Sequence, residues 1–149
     1  MTASDPPADD RLVPRTVLAW GLAGLIPFLG LPLLAVSIPA LSGWSDQALG
    51  LYAAVILSFL GGARWGRAVS ETAPDPRTIA FSMAPSVIAW GLILLPPDRS
   101  GLQLAGLAAA LVLHLVWDLR SPGLPAWYPR LRLILTAGAV TGLAAGALV

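Results

Sequence analysis

The sequence predicts an all-α, polytopic membrane helix bundle of about five transmembrane helices. Two observations predict it. More than half of the 149 residues are hydrophobic, and the chain carries only 9 basic and 8 acidic side chains. A soluble domain of ordinary composition carries about a quarter of its residues as charges. The few charges here also fall between long apolar runs, where a soluble core would leave large exposed apolar patches. The bilayer is the better solvent for such a chain.

Five apolar runs are long enough, or nearly so, to cross the roughly 30 Å hydrocarbon layer, which takes about 20 residues of helix. The first extends from Val17 to Ile38 and contains Pro27 and Pro32. Each proline deletes a backbone donor, so this run is expected to kink or to split into a spanning and a re-entrant part. A four-span version, with this run lying in the interface, is the topological alternative. The second run covers Ala48–Gly66, the third Thr78–Leu95, the fourth Leu102–Leu119 and the fifth Leu131–Val149. The links between them are short, which favours antiparallel neighbours and one domain over residues 16–149. Residues 1–15, with Asp5, Asp9, Asp10 and several prolines, lack the positive start and apolar core of a secretory signal and are expected to be a disordered cytoplasmic tail.

The arginines set the expected orientation. With the N-terminus inside, the inner segments hold Arg11, Arg15, Arg64, Arg67, Arg77, Arg120, Arg130 and Arg132, and the outer ones only Arg99. Eight against one is a strong positive-inside bias over loops this short, and it puts the C-terminus outside. Trp20, Trp65, Trp117 and Trp127 fall at the inner ends, and Trp44 and Trp90 near the outer ends. Interfaces are where amphipathic rings are most stable. Trp65, Trp117, Trp127 and Tyr128 are therefore read as interfacial anchors touching lipid headgroups.

Composition excludes several functions. A net charge of +1 gives no electrostatic footprint for nucleic acid. Without cysteine there is no disulfide, thiolate site or cysteine nucleophile. One histidine cannot supply a bis-histidine haem, no ligand set has zinc spacing, and no phosphate loop or nucleophile elbow is present, so no cofactor is expected. The absence of lysine and asparagine, with abundant Ala, Gly, Pro and Leu, is associated with GC-rich bacterial genomes, and the bacterial inner membrane is the expected location.

Two constellations stand out. Arg64, His114, Asp118 and Arg132 are expected near the cytoplasmic face, with His114 and Asp118 one turn apart on one helix face. Intramembrane ionisable groups are functional candidates by default. Two readings are open: a fastener in which Asp118 pairs with Arg64 or Arg132, or a site that passes protons, binds a headgroup or holds a quinone carbonyl. Gly138, Gly142 and Gly146, spaced by four, stack on one face of the fifth run and suit close helix packing, within the bundle or between subunits.

Tyr52–Gly66 (YAAVILSFLGGARWG) and Leu124–Thr136 (LPAWYPRLRLILT), with the weaker stretches Gly21–Phe28 and Pro85–Trp90, resemble the bacterial domain-of-unknown-function family 3429, which is related to the mitochondrial transmembrane protein 69. The resemblance covers nearly the whole chain after the tail. It implies a membrane protein but no agreed activity, and therefore no catalytic residues. It also sets a histidine of many relatives where this chain has Arg64, which implies a cationic or hydrogen-bonding role there rather than proton transfer. The expected function is a non-catalytic accessory subunit or assembly factor of a membrane complex, with lipids and a larger complex or a second copy as partners. The alternative is a small transporter or proton-coupled carrier using Arg64, His114 and Asp118.

Overall fold

A computed structural model describes residues 12–149. The expected disordered tail lies outside that range except for Leu12 to Arg15, and Arg15 already opens the first helix. Among the described residues the chain forms six α-helices and no strand: α1 (Arg15–Ala23), α2 (Ile26–Ser37), α3 (Ser42–Val69), α4 (Pro76–Ile93), α5 (Ser100–Arg120) and α6 (Tyr128–Ala147). Single 3-10 turns at Pro39–Leu41 and Pro97–Arg99 lead into α3 and α5.

The first apolar run is two helices because the chain breaks one turn before its first proline. The amide of Leu25 bonds back to Leu22 rather than to the residue four before it, and Pro27 then lies in the first turn of α2, where a missing N–H costs nothing. The carbonyl of Gly24, freed at the break, accepts the Tyr52 hydroxyl at 3.0 Å. Pro32 does not interrupt α2, in whose interior it is buried. At the other loop-to-helix junctions, Asp75 caps α4 by accepting from the amides of Arg77 and Thr78, a favoured N-cap arrangement. Gly123, with φ of 72°, turns the α5–α6 loop through a conformation that strains any residue bearing a Cβ.

Side-chain contacts fix the direction of each pass. Gly61 of α3 lies against Ser82 and Pro85 of α4, and Gly106 of α5 against Leu92 near the end of α4. Gly146, late in α6, meets Leu49 and Leu104, which lie early in α3 and α5. α1 and α2 run beside α6 in the same direction, with Gly21 against Leu135, Leu25 against Gly138 and Phe28 against Gly142. The result is five alternating passes, the first made of two helices.

Three segments, Arg15–Ser37, Pro39–Val69 and Pro97–Arg120, are long and apolar enough to cross a membrane. α4 falls short in apolarity, because its 18 residues include Arg77, Pro85 and several hydroxyls. In α6, Arg130 and Arg132 and a run of small residues dilute the apolarity. The core is made of Phe28, Leu49, Ala53, Leu57, Leu104, Leu107, Leu111, Ala139 and Leu143. The surface is apolar as well: Leu33, Val55, Phe59, Val87, Trp90 and Leu113 all point outward. The buried polar groups, by contrast, include Arg64, His114, Asp118, Arg132 and Thr136. Apolar outside with polar groups turned inward is the distribution a lipid solvent requires.

Candidate functional site

The alternation of passes brings the C-terminal ends of α3 and α5 to the N-terminal end of α6, and each contributes charge there. Asp118, in the last turn of α5, is 2% exposed and lies between two guanidinium groups. Its Oδ1 accepts from Arg64 Nε at 2.8 Å, and its Oδ2 from Arg132 Nε at 2.7 Å. Both are short charge-assisted bonds of the strong kind. The Tyr128 hydroxyl donates to the same Oδ2 at a longer 3.4 Å. Arg64 uses its remaining capacity on the carbonyl of Trp117 at 3.2 Å and on the Ser121 hydroxyl. Its guanidinium also lies over the Trp117 ring, 4.7 Å from the centroid, a cation–π geometry.

His114 stands one turn before Asp118 with its Nδ1 3.5 Å from the carboxylate, within ion-pair range but without hydrogen-bond geometry. Neither ring nitrogen has a hydrogen-bond partner among the described residues. Its ring meets Trp117 edge-on, with centroids 5.5 Å apart. It borders an apolar groove of about 340 Å³ between α3, α4 and α5, lined by Leu57, Phe81, Pro85, Ile88 and Leu113 among others.

All four members of the expected polar cluster thus lie together, with Arg64 and Arg132 both on Asp118 rather than one or the other. The anchor residues divide. Trp65 is exposed and Trp127 half-buried, whereas Trp117 lies under the Arg64 guanidinium and meets His114 edge-on, and Tyr128 reaches Asp118. No sequence pattern selects Ser121, which bonds Arg64, or the buried Thr136 one turn beyond Arg132 on α6. A hydroxyl one residue past a helix end and another mid-helix are unremarkable until the helices are rotated into register. The glycine face is used inside the bundle. Gly142 and Gly146 are buried against α2, α3 and α5, and a Cβ on Gly138 would come within 2.7 Å of Leu25.

Comparison with known proteins decides the family. The family model described as "Protein of unknown function (DUF3429)" matches residues 13–148. The chain belongs to the DUF3429 family. Its similar proteins include transmembrane protein 69 of Xenopus tropicalis, 39% identical over 137 residues, which are 87% of this chain and 53% of that protein. Transmembrane protein 69 of Mus musculus is 37% identical over 131 residues, 83% of this chain and 51% of that protein. The chain therefore spans about half the length of these relatives. No solved structure matches it. The apolar helices, together with relatives named transmembrane protein, make the chain a membrane protein.

Proposed function

We propose that this protein is a non-catalytic multi-pass subunit or assembly factor of a membrane complex, set in the bacterial inner membrane with its arginine-bearing end in the cytoplasm. The observation that carries the reading is the closure of the polar cluster. Asp118 has both oxygens engaged by Arg64 and Arg132, and all three side chains are at least nine-tenths buried. Such a cluster ties three passes together at one end. A carrier needs a wettable succession of polar groups from one face to the other. Below this cluster the packing turns to Leu57, Leu107, Leu111 and Leu143.

A proton-coupled carrier is the second reading, and the unpartnered imidazole of His114 beside Asp118 is what favours it. One pair of measurements separates the two. Purified protein in liposomes loaded with a pH dye is expected to leave the proton permeability unchanged. Protein purified from its native membrane in mild detergent is expected to migrate with other membrane proteins in fixed stoichiometry. A proton leak that Asp118→Asn abolishes, from a protein that purifies alone, would establish the carrier instead.

A further inference from the structure

The bundle is open to one side between α1, α3 and α6. The opening leads into a cleft of about 180 Å³. Trp20 and Phe59 stand at its rim, both largely exposed, and Leu60 and Leu111 line it from α3 and α5. The wall supplied by α6 changes character along its length. Arg132 comes first, Leu135 and Thr136 lie side by side one turn on, and Ala139 follows. That wall is polar near the arginine-bearing end and apolar two turns further in, a descent of about 10 Å at helical rise.

Two polar atoms on this wall lack partners. Arg132 gives its Nε to Asp118, but its Nη2 is buried without a hydrogen bond among the described residues. The Thr136 hydroxyl, one turn deeper, is also buried and unpartnered. Arg132 and Thr136 are 6% and 4% exposed. Buried donors without acceptors are costly and uncommon in native proteins, so two on one wall of one cavity call for an acceptor that the protein does not itself supply. The local charge defines that acceptor further. Arg64 and Arg132 share a single carboxylate, leaving one positive charge in excess. Arg15, exposed in the first turn of α1, adds another at the same end of the bundle.

We propose that the cleft is a binding site for an anionic phospholipid. Arg132 Nη2 and the Thr136 hydroxyl, closed off by their neighbours in this structure, turn to donate to its phosphate, and the upper part of one acyl chain lies along Leu60, Leu111 and Ala139. The order of head and tail matches the polar-to-apolar order of the α6 wall. The lateral opening past Trp20 and Phe59 lets a lipid enter from the bilayer without unfolding the bundle. A guanidinium facing phosphate is a strong pairing in both charge and geometry. Basic pockets between transmembrane helices suit such head groups. This site is separate from the closed contact between Asp118 and Arg64, and it stands whether or not the protein is a subunit of a larger assembly.

The test is native mass spectrometry of the full chain after delipidation and titration with phosphatidylglycerol or phosphatidylcholine of identical acyl chains. Wild-type protein is expected to retain one phosphatidylglycerol with about tenfold preference, because both lipids share the phosphate but the excess arginine charge repels choline's cation. Thr136→Val keeps the side-chain shape, so the bundle should fold, and because both lipids present the same phosphate the retention of each should drop several-fold with the preference kept. Leu60→Trp, which fills the cleft, should lower binding of both lipids. Loosely held lipid attracted by the arginines at large would respond to neither substitution. Unchanged retention of both lipids in both variants, or no preference in the wild type, overturns the proposal. So does oleate saturating the site in wild type where phosphatidylglycerol does not, which would mark a fatty-acid site.

Discussion

At the scale of single residues, Asp118 carries more than any other side chain. Its burial is tolerable only because two guanidinium groups offset the lost hydration, and each of those is itself buried only because the carboxylate is there. Removing one member of a buried ion pair commonly costs about 3–5 kcal/mol, while removing matched partners together costs much less. Asp118→Asn is therefore expected to destabilise the protein in detergent strongly, since it strands two positive charges. Arg64→Gln should do less harm in the Asp118→Asn background than in the wild type, and so should Arg132→Gln. Thermal unfolding of the two double-mutant cycles measures this. Coupling below about 0.5 kcal/mol in both, the ordinary scatter of additivity, would show that the three groups do not act as a unit. Much of this site was legible in the sequence. A charge is so rare inside an apolar helix that the residue type alone selects it, and alternation of the passes then puts Asp118 level with Arg64. Ser121, Thr136 and the Tyr128 hydroxyl were not legible, because such groups are frequent and their role depends on which way each helix is turned.

At the scale of elements, the contact of α2 with α6 shows how proline and glycine act together. Pro32 has no N–H, so the carbonyl of Phe28, which an ordinary residue at that position would engage, is left without its helical donor. α6 presents Gly142 to that carbonyl, and any Cβ there would run into the Phe28 oxygen. A glycine with no side chain lets the two backbones approach, and its Cα–H is placed to face the exposed carbonyl, a weak contact that recurs where helices pack closely. α3 and α4 also pack through a glycine, though not over a proline-freed carbonyl: a Cβ on Gly61 would lie 2.6 Å from the carbonyl of Ser82 and 3.2 Å from the ring of Pro85. The spacing of Gly138, Gly142 and Gly146 was legible in the sequence, but not which helix they face. α6 is apolar or small nearly all round, and hydrophobic periodicity assigns a face only where a polar face contrasts with it. The split of the first run was legible from its prolines, though the break falls at Gly24–Leu25 rather than at either proline. Gly142→Leu is expected to lower stability in detergent by about 3 kcal/mol or more, as overpacking against rigid backbone does. Gly62→Leu, where the space is open, should change little. Equal melting temperatures for the two variants would mean that α2 and α6 are not in contact in the protein in solution.

At the scale of the whole molecule, the arginines that the sequence scatters over the chain are gathered by folding. Arg64 and Arg67 near the end of α3, Arg77 at the start of α4, Arg120 at the end of α5, and Arg130 and Arg132 at the start of α6 share one end of the bundle with Arg15 of α1. Arg99 lies at the other, in the link between α4 and α5. Several of these charges are held in place: Arg67 donates to the carbonyl of Pro122 at 2.9 Å, tying the end of α3 to the α5–α6 loop. An arginine-rich end is retained on the cytoplasmic side during insertion, because moving many guanidinium groups across the bilayer is costly and the bias over short loops governs orientation. Five alternating passes then leave the two termini on opposite sides. A reporter joined after Val149 is accordingly expected to be active only when it senses the outer compartment. One inserted within residues 70–75, between α3 and α4, should report the cytoplasm. Reversing both signals would show that α3 to α6 insert the other way, through inversion of the whole bundle or failure of the broken first pass to cross. A cytoplasmic signal at both positions would mean that one of the five passes fails to cross. The candidates lie between the two reporters: α4, the shortest, and α6, whose arginines and small residues dilute its apolarity. A further reporter in the Pro97–Arg99 turn distinguishes them: an outer signal there requires α4 to cross, and the failure then belongs to another pass.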